Sequence, residues 1–287
     1  MIVLKSGREI DLMRRGGQIL ADVMEMLRGF VKPGLSTLEI DEEVETFIVD
    51  RGAKPAFKGY RGFPATVCIS INEEIVHGIP SAHRRLKEGD IVGLDLGCIV
   101  EGYYADCAFT MAIGEIPARV QELLEVTRQS LELAIVQCRP GQRLSDVSNA
   151  VQRHVEAHGF GVVRAFVGHG IGRNLHEDPQ IPNFGEPGHG PQLKPGMVLA
   201  IEPMVTMGSF DVKILDDGWT AVTKDGSLAA HFEHTIAVTD NGPDVLTSLG
   251  GGLRPSSSSE GASMGPSEAS PRHGLRGPSP RSNKEQN

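Results

Sequence analysis

Apolar residues recur along this chain in two periods. Over residues 9–30 and 38–49 they fall at the three- and four-residue spacing of a buried helix face. The first run stops near the breaker Lys32-Pro33-Gly34, and the second is opened by a capping box of Ser36 and Glu39 and closed by Gly52. Residues 117–137 predict a long helix with Pro at its start, and 145–158 a further amphipathic helix stopped by Gly159. Strand character marks 65–71 and 73–76, around a turn at Asn72, then 162–167, 197–201 and 230–239. Helices alternating with strands and hairpins predict an α/β or α+β unit.

The most informative stretch is 91–110, IVGLDLGCIVEGYYADCAFT. An almost continuously apolar strand over 91–100 meets a two-residue turn at Glu101-Gly102, and Tyr103 begins the return strand. Pairing Val100 with Tyr103 sets Asp95 opposite Ala108, which shares a face with Asp106. The two aspartates are then diagonal neighbours, about 7–8 Å apart at the backbone. Buried carboxylates of this kind require a neutralising partner.

A shift of 107 residues superposes the chain on itself: Pro33-Gly34 falls on Pro140-Gly141, Gly52 on Gly159, Gly89 on Gly196 and Asp95 on Glu202. LKEGDIVGLD and LKPGMVLAIE are the same phrase written twice. One offset serving a helix and a strand points to two similar halves, about 1–115 and 116–249, with acids from both meeting between them.

Composition narrows the class. A chain of 287 residues with 39% apolar residues can bury a full core, and nothing in it resembles an export signal or a membrane span, so a cytoplasmic protein is expected. A monomer is expected as well. Cys68, Cys98, Cys107 and Cys138 show no CxxC spacing and read as reduced. Residues 250–287 change character, with Gly, Ser and Pro supplying 21 of 38, and predict a disordered tail behind one globular domain over 1–249. The tail carries net charge +2, which leaves −11 on the folded part and argues against general nucleic-acid binding.

The second half adds three candidates. His169 lies in the glycine-rich run FVGHGIG, Glu202 in AIEPM and Glu233 in HFEHTIAV. Any one acid alone is better read as solvated or ion-paired. Their shared placement in apolar strands argues otherwise, because solvated acids occupy the polar phase of the pattern. Asp95, Asp106, His169, Glu202 and Glu233 form a hard, strongly anionic donor set that suits two divalent ions better than a single zinc. Such a pair would generate a hydroxide near neutral pH.

These motifs resemble those of type I methionine aminopeptidases in their short bacterial form: FVGHGIGRNLHEDPQIPNF matches the family signature, and DLGCIVEGYYADCAF, AIEPM and HFEHTIAVTDNG stand where its other ligands lie. The match runs in order from about Ile2 to Leu249. It implies a pita-bread fold, two pseudo-symmetric halves whose central antiparallel sheet is covered by helices. It implies two ions (Co, Mn or Fe, with Zn as a further candidate), bridged by Asp106 and Glu233. Asp95 would hold one ion, His169 and Glu202 the other. It implies an activity as well: a metal-bridging water or hydroxide attacks the carbonyl of an initiator methionine when the second residue is small, with Glu202 as general base and acid. His77 would contact the scissile amide and His176 the tetrahedral intermediate. Tyr60, Phe63, Cys68 and Trp219 match the methionine pocket. Phe57, Phe63 and Leu175 depart from common family residues yet stay apolar. The substrates would be nascent polypeptide N-termini, and the tail's scattered arginines offer a contact to the ribosome. No membrane partner and no specific nucleic acid are expected. Two other readings share the fold: a proline-directed peptidase, and a catalytically dead module that binds protein or RNA.

Overall fold

Helix α1 (Gly7–Phe30) opens on a reciprocal capping box, in which the Ser6 side chain accepts from the Glu9 N–H and the Glu9 carboxylate accepts from the Ser6 N–H. Its inner face buries Met13, Leu20, Val23 and Leu27. Gly16 and Gly17 bring it down onto the sheet: a Cβ on Gly17 would lie 2.1 Å from the Leu246 carbonyl oxygen. The computed structural model describes residues 1–249, so the tail expected over 250–287 lies outside the described residues.

After α2 (Thr37–Asp50) come β1 (Lys54–Pro55), β2 (Val67–Ile71), β3 (Glu74–Val76), β4 (Ile91–Val100) and β5 (Tyr103–Ala112). Helices α3 (Ala118–Gln137) and α4 (Leu144–Ala157) open the second half. It continues through β6 (Gly161–Val162), β7 (Gly168–Gly170), β8 (Glu177–Ile181), β9 (Val198–Ile201) and β10 (Met204–Thr206). It ends with β11 (Val212–Ile214), β12 (Ala221–Thr223), β13 (Ala229–His231), β14 (Glu233–Thr239) and β15 (Gly242–Val245).

The main sheet runs β1-β4-β5-β14-β9-β7-β8, with β2 on β4 and β15 on β14, and its pairs are antiparallel. Two three-stranded sheets, β13-β10-β6 and β11-β12-β3, flank it. One core packs α1 and α2 residues such as Leu20, Ile40 and Ile48 on Val67, Leu94 and Phe109. A second packs α3 and α4 residues such as Leu123, Leu131 and Val151 on Leu199, Ile201 and Ile236. Among the described residues no helix is long and apolar enough to cross a membrane. All four cysteines are buried and free.

The repeat seen in the sequence is a repeat in space. Bridge Ser36↔Arg85 recurs as Arg143↔Gln192 at the same 107-residue shift. The hydrogen bond from Gly34 N to Leu86 O recurs from Gly141 N to Leu193 O. Gly34 and Gly141 sit at φ 92° and 93°, Gly52 and Gly159 both at 74°, so each pair of glycines meets the same left-handed requirement.

The hairpin register is as expected, with Val100 paired to Tyr103, Asp95 to Ala108 and no bulge. Glu101 at φ 50° and Gly102 at φ 83° form the left-handed pair of a type I′ turn, whose twist matches the strands it joins. Two strand expectations need correction. Residues 163–167 are not strand: β6 ends at Val162 because the chain must cross from a flanking sheet to the main one, and Arg164 and Ala165 turn outward. Residues 230–239 are not one strand either. The chain changes sheets at Phe232, whose N–H bonds to the Pro203 carbonyl, so β13 and β14 belong to different sheets.

A Cβ at Gly102 would meet nothing within 4 Å, so a substitution there isolates backbone strain. Gly102→Val should lower unfolding free energy by about 1–2 kcal/mol, the cost of a left-handed non-glycine residue. Urea denaturation checks this, and an unchanged midpoint would mean that the turn does not hold the register.

Candidate active site

Strands β4, β5, β14 and β7 of the main sheet, and the residue just past β9 between the last two, each bring one ligand-type residue to the same face. Asp95 and Glu233 both pair with Ala108, from opposite sides. Asp106, two residues before Ala108, therefore points the same way. Ile201 pairs with His234, so the next step of that register sets Glu202 opposite Glu233. His169 pairs with Ala200, two residues before Glu202, and completes the face. The antiparallel pleat thus gathers residues 95, 106, 169, 202 and 233 without any of them being near another in sequence.

Local chemistry fixes several of them. The Asp106 N–H donates to Thr235 Oγ1 at 3.0 Å and the Thr235 hydroxyl donates back to the Asp106 carbonyl at 2.7 Å, so a side chain stands in for the strand ladder. Gly168 and Gly170 let β7 approach closely, since a Cβ on them would lie 2.5 Å from the Ala200 oxygen and 2.1 Å from the Asp178 oxygen. His169 Nδ1 is 2.9 Å from the Gly170 carbonyl, which accepts only if Nδ1 carries the proton. The lone pair is then on Nε2, 3.5 Å from Glu202 Oε1 and 3.9 Å from Asp106 Oδ2. Ligand atoms of Asp106, His169 and Glu233 lie within 4.8 Å of one another.

Burial sets the electrostatics. Loss of water pushes the Asp106, Glu202 and Glu233 carboxyls well above the usual range, and each is pushed further by the neighbouring acids. Asp95 is raised by burial to about 7. The same desolvation holds His77 and His169 down at about 4 and His231 at about 3, all uncharged at neutral pH. Asp95 Oδ1, Asp106 Oδ1 and Glu233 Oε1 are buried with no hydrogen-bond partner. Buried oxygens of that kind are rare without a cation or proton to meet them. A divalent ion fits this donor set: hard oxygens, one neutral imidazole with a free nitrogen, and excess negative charge.

Beside this cluster opens a cavity of about 180 Å³, and every residue singled out from the sequence lines it. Phe57, Phe63, Cys68, Leu175 and Trp219 form the apolar end, with Phe63 edge-on to Trp219 at 5.2 Å. His77 stands between Phe166 and Trp219 at 5.5 Å and 6.4 Å, on a left-handed backbone of φ 63°. Such a conformation costs a non-glycine residue about 1–3 kcal/mol and aims its imidazole into the cavity. His176 bonds the Tyr60 hydroxyl at 2.8 Å through Nδ1, with its ring 4.3 Å from that of His169. Two residues of the site went unremarked in the sequence. Arg61 lines the mouth. His231 lies 4.0 Å from Glu202 behind the wall, and its only signal was the period-two spacing from Glu233 in HFEH.

Comparison with known proteins places this geometry. Residues 11–240 match metallopeptidase family M24. A methionine aminopeptidase of Clostridium perfringens is 52% identical over 247 residues, 86% of this chain and 99% of its own length. Methionine aminopeptidase 1 of Bacillus subtilis is 53% identical over the same shares. The crystal structure of the methionine aminopeptidase from Thermotoga maritima superposes with a TM-score of 0.85 at 49% identity, over 86% of this chain and 100% of that one. The fold is therefore the pita-bread fold of these enzymes, and the chain belongs to metallopeptidase family M24, in its methionine aminopeptidase branch.

Proposed function

We propose that this enzyme removes the initiator methionine from nascent chains whose second residue is small, using two divalent ions of Mn, Fe or Co type. The observation that carries the proposal is the junction of an anionic, partnerless ligand cluster with an apolar pocket in one cavity. Asp106 and Glu233 would bridge the ions, Asp95 would complete one site, and His169 with Glu202 the other. When bound, the ions supply Lewis acidity and hydroxide at neutral pH.

The chain's own residues do the rest. Phe63, Cys68 and Trp219 enclose an unbranched thioether, and Phe57 and Leu175 narrow the pocket against branched side chains. Glu202, buried and with a raised affinity for protons, takes a proton from the attacking water and delivers it to the departing amine. His77, uncharged, holds the scissile amide. His176, oriented by Tyr60, donates to the developing oxyanion. Tyr60, Arg61 and His176 crowd the rim, where the second residue sits, and this supports a preference for small residues there.

Substrate choice is tested by steady-state turnover of Met-Ala-Ser, Met-Leu-Ser and Leu-Ala-Ser with Mn²⁺, Fe²⁺ or Co²⁺. Met-Ala-Ser should lead by at least about 10–200-fold in kcat/KM, the range a hydrophobic pocket can discriminate. Equal turnover of the three, or none with any metal, would overturn the reading.

Removing the base is the second test. Glu202→Gln should lower kcat by about 10²–10⁴-fold while leaving the metal-free protein folded, because an amide of the same shape replaces a carboxyl that burial and the neighbouring acids keep protonated. Circular dichroism and single-turnover kinetics check both halves, and a variant with near-parental kcat would exclude the acid–base role.

The metal-free protein should lose stability as pH rises. The folded carboxyls hold protons to higher pH than unfolded ones, so their contribution is largest in acid and falls as pH rises from the ordinary carboxylate range; the share of Asp95 is spent by about 7, and that of Asp106, Glu202 and Glu233, raised well above the usual range, keeps falling beyond it. The buried histidines act oppositely, but only below their unfolded value of 6.5. Between pH 6.5 and 8.5 the buried carboxyls set the slope, joined toward 8.5 by the buried thiols, which burial also pushes up, at up to about 1.4 kcal/mol per pH unit for each proton retained. Calorimetry in chelator should show a lower Tm at pH 8.5, and added Mn²⁺ should raise Tm more there than at pH 6.5. Equal gains at both pH values would show that the acids are not the ligands.

A further inference from the structure

His231 ends β13, two residues before Glu233 begins β14. Its backbone is pinned by a side chain from the hairpin: the His231 N–H donates to Thr110 Oγ1 at 2.9 Å, and the Thr110 hydroxyl donates to the His231 carbonyl at 2.9 Å. Its ring is not among the residues lining the cavity, so it stands behind the wall. Nε2 is buried with no hydrogen-bond partner and lies 4.0 Å from Glu202 Oε2. The other oxygen of the same carboxylate, Oε1, faces the free Nε2 of His169 at 3.5 Å. Glu202 is thus flanked by two imidazoles that offer different things. His169 has spent its N–H on Gly170 and presents a lone pair, while His231 has nothing else to bond through Nε2.

We propose that His231 is a positioning residue: its Nε2–H bonds Glu202 Oε2 and turns the carboxylate so that Oε1 converges with His169 Nε2 on one divalent ion. The terminal torsion of a glutamate is broad, so a small rotation closes the 4.0 Å approach to hydrogen-bonding distance. The bond also keeps Oε2 from swinging into the cavity, where it would compete with the substrate for space. Outer partners of this kind fix ligand orientation and typically change metal affinity by about 10–100-fold when removed. The inference rests on the two-ion reading above.

The test is metal binding by the full-length, metal-stripped protein, by calorimetric titration with Co²⁺ and by the visible absorption of the bound ion. His231→Gln places an amide N–H at nearly the reach of Nε2, whereas His231→Asn is one methylene too short and His231→Leu has no donor. The glutamine variant should keep both binding steps and the parental spectrum. The asparagine and leucine variants should weaken one step by about 10–100-fold, alter the band of that ion, and leave the other step in place. The glutamine and asparagine pair, both polar amides, decides the matter even where the leucine variant fails to fold. Parental binding by the asparagine variant, or equal loss in glutamine and asparagine, would overturn the role of His231 alone. A parental protein that takes up a single ion would overturn the two-ion reading and this inference with it.

Discussion

Four carboxylates share one face of one sheet, and among the described residues the only cationic side chain lining their cavity is Arg61, exposed at its mouth. That concentration of negative charge is the constraint on which the rest of the structure depends. In a dry interior the charged forms are disfavoured by several kcal/mol each, so the face is stable only with protons or cations on it. The sheet is built to tolerate this. Apolar side chains fill its opposite face against α1 to α4. The energy of that packing anchors strands whose other face would favour separation.

Duplication explains how such a face is assembled. Each half contributes a strand with an acid at the same offset, Asp95 within β4 and Glu202 just past β9. The frame is preserved more closely than the contents. Turn glycines, the helix stops and the bridge between loop and helix recur at one offset, while the Ser36 cap of α2 has become Arg143 at α4. The acids have diverged in the same way. Asp95 comes from a ten-residue strand paired along its length, and Glu202 from a four-residue strand cut short by Pro203. One acid is held inside a fully paired strand; the other stands just beyond the end of its strand.

Much of this was legible in the sequence because the decisive interactions are local or periodic. Glu101-Gly102 admits one efficient hairpin turn, which fixes the register and puts Asp95 and Asp106 on one face. The capping box at Ser36 and the stop at Gly52 bound α2 to within a residue or two. What escaped is the chain's change of sheet. At 163–167 and at Phe232 the residues keep strand character while the hydrogen-bond partner changes, and composition carries no trace of which sheet a residue joins. His231 was hidden for that reason: on a continuous strand it would be a second residue of the ligand face, but in the structure it lies behind it. The short strands β1, β7, β8, β10, β11, β12 and β15, each of five residues or fewer, were missed because runs that short carry too little alternation of their own to read as strands.

The hydroxyl of Thr235 has one more implication. Where two strands exchange backbone hydrogen bonds, their separation is set by the peptide group and no mutation of side chains can retune it. Between Asp106 and β14 that exchange runs instead through a single Oγ atom. Backbone pairing joins β5 and β14 at Ala108 and Cys107, and where it stops, at Asp106, the spacing of the two strands is written in one side chain.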